Sequence, residues 1–79
     1  MKKSELMDVY EDVRQISRLL DRADDIFRTL PEEIQEAIRV YHDDSTNLKH
    51  LLYYGWQNAH EIVEDWVNVV SEIEVIEVD

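Results

Sequence analysis

A chain of 79 residues with 19 Asp and Glu against 8 Lys and Arg carries a formal net charge of −11. That balance argues against nucleic acid or an anionic membrane as a direct ligand, since both need clustered cations, and favours a basic protein partner. The chain has no cysteine, which removes disulfides and thiolate metal sites, and its length is near the lower limit for a core that folds unaided.

No run approaches the roughly 20 apolar residues of a membrane span, and no apolar segment follows Lys2 and Lys3. One soluble, cytoplasmic, all-α domain over residues 1–79 is expected, with no cofactor and no metal. The charge is uneven. After Lys49 there is no Lys or Arg, whereas Glu61, Glu64, Asp65, Glu72, Glu74, Glu77 and Asp79 follow.

Apolar residues from Leu6 recur at Val9, Val13, Ile16, Leu20, Ala23, Phe27 and Leu30, alternating steps of three and four. This spacing predicts one long helix over about residues 5–29, with an a/d seam and Ser4 as its cap. Pro31 disfavours helix at Leu30 and suits a first helical turn, and Glu32 follows Thr29 at capping-box spacing. A short helix over about 31–42 is predicted next, with Ile34, Ala37, Ile38 and Tyr41 on one stripe. Asp43, Asp44 and Ser45 supply a turn, with Ser45 as the expected cap of a third helix.

The third helix is predicted over about 46–74 from Leu48, Leu52, Gly55, Ala59, Ile62, Trp66, Val69 and Ile73, a second seam of threes and fours. Gly55 and Ala59 are its small members, where a neighbouring helix approaches most closely. The tail through Val75 and Ile76 is open to either a helical or an extended reading. The architecture expected is an antiparallel hairpin of two long helices with the short one across it, a three-helix bundle that pairs as a homodimer. Trp56, Ile62, Trp66, Val69 and Val70 are the expected self-association residues, since the third helix has more apolar surface than one core covers.

Tyr53, Tyr54, His60, Glu61 and Glu64 fall on the outer face of that helix. A functional acid or base needs its pKa moved by burial or a neighbouring charge, and a solvated face moves it little. His60-Glu61-x-x-Glu64 is half of a zinc HExxH motif, with Glu64 replacing the second histidine. His42, His50 and His60 follow no ligand spacing and are read as surface residues. Arg14, Arg18 and Arg22 recur every fourth residue and are read as exposed ion-pair partners of neighbouring carboxylates, or of the acidic third helix of another copy.

The function expected is non-enzymatic: binding to, and inhibition or regulation of, a basic nucleic-acid-binding protein through Tyr53, Tyr54, Glu61, Glu64, Asp65 and Glu72. Carboxylates at helical steps of three and four lie about 5–6 Å apart, near the spacing of phosphates. In size and charge the chain looks like small phage-encoded inhibitors of nucleases and CRISPR effectors. Its tyrosines beside carboxylates are also similar to those of the immunity proteins of nuclease colicins.

Two other readings stand behind this one. A scaffolding dimer would use the seams for assembly alone. Glu32-Glu33-x-x-Glu36 followed by Glu61-x-x-Glu64 resembles the EExxE and ExxD motifs of the MazG-type nucleotide pyrophosphatases, which implies Mg²⁺-dependent hydrolysis. Glu64 stands where that family has Asp, and Glu32 and Glu36 lie off their helix's apolar stripe.

Overall fold

The computed structural model describes residues 1–41 and 47–76. It contains α1 (Lys3–Arg28), α2 (Glu32–Tyr41), α3 (Leu48–Glu64) and a single turn, α4 (Trp66–Val69), with no strand among the described residues. Helices α1 and α3 run antiparallel: Tyr10 meets Trp66, Leu20 meets Gly55, and Arg28 reaches Tyr53. The chain is all-helical among the described residues, as expected, with α1 and the shorter α3 packed along one another. Helix α2 touches α3 but buries no residue, so the third layer of the predicted bundle is thin.

Local chemistry sets the ends differently from expectation. Helix α1 begins at Lys3 with Lys2 at the cap position and no side-chain cap bond, so Ser4 lies inside the helix. At its other end the Thr29 hydroxyl donates to the Ile26 carbonyl, and Gln35 Nε2 donates to the carbonyls of Arg28 and Leu30, satisfying acceptors that the last turn leaves open. The cap of α3 is Asn47, whose side-chain oxygen accepts from the His50 N–H at 3.0 Å. Ser45, His42 and the predicted turn at Asp43 and Asp44 fall outside the described residues. Asn offers the same acceptor as Ser, and here it stands directly before the first helical residue.

The third helix also stops earlier than its seam predicts. Asp65 leaves helical geometry (φ −114°, ψ 33°), and its carboxylate accepts from Asn68 Nδ2 at 2.6 Å. The helix resumes for one turn in α4, where the Val69 N–H donates to the Asp65 carbonyl and the Val70 N–H to the Trp66 carbonyl, and ends at Val70. After a turn at residues 70–73 the chain reverses and runs extended beside the N-terminus. The Lys3 N–H donates to the Ile76 carbonyl and the Ile76 N–H to the Met1 carbonyl. Residues 74–76 are therefore extended.

The packed line of α1 is Leu6, Tyr10, Val13, Ser17, Leu20, Asp24 and Phe27. Val9 and Ile16, which belong to the predicted seam, are exposed instead. The helix buries the polar flank of its seam and leaves the apolar flank open. Among the described residues the buried hydrophobics are Phe27 and Ala59 alone. The molecule measures 55 × 21 × 16 Å with a radius of gyration of 16.7 Å, against about 12 Å for a compact domain of this length.

Candidate protein-docking face

The second face of α3, away from its packed line, carries Tyr53, Tyr54, Gln57, His60, Glu61 and Glu64 at helical steps of three and four. Tyr54 is 60% exposed, and His60, Glu61 and Glu64 are also exposed. The structure brings the two tyrosines together as an edge-to-face pair with ring centroids 5.3 Å apart. His60 stacks on Trp56 at 6.0 Å, and its Nε2 lies 3.6 Å from a Glu64 carboxylate oxygen.

At the N-terminal end of this face, Asp24, Phe27, Arg28, Gln35, Lys49, His50, Tyr53 and Tyr54 line a cleft of about 460 Å³. Arg28 forms one wall. Its Nε is 3.0 Å from the buried Asp24 carboxylate, and its guanidinium sits 5.8 Å from the centroid of the Tyr53 ring, within cation–π range. His50 is half-buried and not a surface residue, because its ring lies against Tyr54 at 5.9 Å and beside the Asn47 side chain.

The predicted site residues divide into two groups. Tyr53 and Tyr54 occupy this cation-flanked cleft. Glu61 and Glu64 lie about two to three turns further along, with Asp65 at the helix break. Glu72 is exposed but sits in the turn beyond α4. The sequence reading missed Asp24, Arg28, Lys49 and His50 as cleft residues. The available signals were Arg28 four residues after Asp24, and His50 three and four residues before the tyrosines.

The expected self-association residues are also split. Trp66 packs on Tyr10 at 5.2 Å within the chain, Trp56 stacks on His60, and Val70 is half-buried. Ile62 is half-buried and Val69 exposed.

Carboxylates elsewhere are paired locally or solvated. Arg39 bridges Glu36 through Nε at 3.0 Å, and this hydrogen bond, reinforced by the Arg39 charge, holds the Glu36 carboxyl below its ordinary range. Arg14 pairs with Glu11 at 2.9 Å, while Arg18 and Arg22 have no ion pair among the described residues. No three His, Asp or Glu side chains converge as a possible metal cluster among the described residues, and no helix there is long and apolar enough to cross a membrane.

No family model matches the chain, and no curated protein or solved structure matches it either.

Proposed function

We propose that this protein acts by docking onto a basic, nucleic-acid-binding protein through the outer face of α3, and inhibits it by occupying its nucleic-acid groove. The observation that carries the reading is the exposed tyrosine pair beside its cleft, continuous along one helix face with Glu61 and Glu64. Tyrosines bury a large rigid ring at small entropic cost and keep a polar tip, which makes them common anchors. Solvated carboxylates add long-range attraction to a cationic partner.

The two ends of the face have different tasks. The tyrosine end grips, with Arg28 and Lys49 balancing part of the chain's negative charge at the cleft. The carboxylate end steers, since the acidic residues from Glu61 onward have no cation after Lys49 to offset them.

Affinity capture with the full chain tests the reading. The partner retained should be basic, should be released as salt rises, and should be lost with Tyr53→Ala. Its nucleic-acid binding should fall when this protein is added. Retention unaffected by salt and by both tyrosines would overturn the proposal.

A further inference from the structure

One flank of the hairpin is occupied by the docking face; the other is open and apolar. Arg28 reaching over Tyr53 fixes which flanks of α1 and α3 lie together. In an antiparallel pair the remaining flanks must then share the opposite side. On α1 that flank carries Val9, Ile16, Leu19 and Ile26, all exposed, and Leu19 is 58% accessible. On α3 it carries Leu51, also exposed, with half-buried Ile62 further along, while Leu48 lies beside the apolar stripe of α2. Between Val9 and Ile26 the charged residues at helical steps along the stripe are Asp12 and Arg22, one of each sign.

We propose that a second copy of this chain covers this side, two hairpins packing face to face about a two-fold axis as a four-helix bundle. The surface area favours a second copy over no partner. The chain exposes 6305 Å², whereas a compact monomer of this mass exposes about 5,000 Å². The excess exceeds the roughly 800 Å² that each partner contributes to a standard stable interface.

The chemistry favours a second copy over a foreign basic partner. The stripe offers almost no carboxylate for cations to meet, and its match is another stripe of branched aliphatic side chains. A two-fold contact sets the same patch against itself, so the one surface fulfils both halves of the interface. The core that Phe27 and Ala59 begin would then be completed between chains. This interface lies on the side away from Arg28 and Tyr53, with Leu51 at its edge one helical step from Tyr54, and the dimer stands or falls independently of the docking proposal.

Sedimentation equilibrium on the full chain, with circular dichroism on the same samples, tests it. The wild type should sediment as a dimer at micromolar concentration. Leu19→Glu and Ile26→Glu place charge at positions already exposed in the single chain, so helix content should persist, while the dimer dissociation constant rises by about tenfold or more. Val67→Glu, at a more exposed residue beside Tyr10 and Glu64, should leave the mass unchanged. A wild type that stays monomeric at high micromolar concentration would overturn the proposal. So would a dimer unmoved by both stripe variants, or one broken by Val67→Glu. Should either stripe variant lose helicity, Leu19→Ala provides a milder probe, expected to weaken association without adding charge.

Discussion

Asp24 and Arg28 form an unequal ion pair: the carboxylate is buried in the α1–α3 packing line, the guanidinium is more than half exposed, and they sit 3.0 Å apart. The exposed partner is what makes the buried one tolerable. Removing Arg28 leaves a carboxylate in a packed site without its donor, an arrangement that costs more than the pair itself contributes. Arg28→Ala should destabilise the chain by about 1–3 kcal/mol, whereas Arg18→Ala, at an exposed residue with no ion pair among the described residues, should stay within about 0.5 kcal/mol. Urea denaturation at fixed chain concentration separates these outcomes. Equal effects would show that Asp24 does not depend on its partner.

Gly55 faces Leu20, whose terminal methyl carbons would lie 3.9 Å from an added Cβ, an ordinary van der Waals distance. The close helix approach expected at this glycine is therefore not tight enough to require it. Gly55→Ala should stabilise α3 by about 0.5–1 kcal/mol through lower backbone entropy in the unfolded chain. For a domain of this size that corresponds to a rise in Tm of about 4–8 °C per kcal/mol. A lower Tm would mean that Leu20 has no room to adjust.

The helical elements and their antiparallel pairing were legible because α1 and α3 each hold steps of three and four over several turns. Which flank of a seam is buried was not. On α1 the column Val9, Ile16, Ala23 outranks Tyr10, Ser17, Asp24 on hydrophobicity, yet the chain packs the second column against α3. Asp24 is tolerated there because Arg28 reaches it, and Tyr10 because Trp66 covers it, contacts that no single-helix pattern displays. The end of α3 was hidden for a related reason. Trp66, Val69, Ile73 and Ile76 keep perfect helical spacing, but spacing records which residues are apolar, not where the backbone breaks at Asp65 and turns after Val69. On α3, the sequence placed Tyr53, Tyr54, Glu61 and Glu64 outward, and all four are exposed. The cleft walls come from α1 and the start of α3, so they became visible only once the hairpin was closed.

Glu36 gives the structure a small acid-sensitive contact. The Arg39 hydrogen bond and charge depress its folded pKa. A carboxyl depressed in the folded state contributes stability that is present above the ordinary glutamate range and is lost as pH falls through the lower folded value. The pair lies on the surface, so the effect on global unfolding should be slight. Carboxyl NMR titration should place the Glu36 midpoint lower in the wild type than in Arg39→Ala. A midpoint unchanged by that substitution would remove the pair from solution.

The docking face makes a sharper demand, because its two ends should fail differently. Tyr53→Ala or Tyr54→Ala removes an anchor and should weaken partner binding by more than about 1 kcal/mol, mainly through faster dissociation. Glu61→Gln, Glu64→Gln and Asp65→Asn each remove a solvated charge. Their effects should be smaller, roughly additive, and concentrated in the association rate, because exposed charges accelerate encounter more than they hold the complex. Raising ionic strength from about 0.1 M to about 1 M shortens the Debye length from about 10 Å to about 3 Å, and should slow association of the wild type while leaving the tyrosine effect on dissociation intact. Surface plasmon resonance across that salt range resolves both rates. If the carboxylate variants changed dissociation as strongly as the tyrosine variants, the carboxylates would be contacts at the centre of the interface, and the division of the face into a gripping end and a steering end would be wrong.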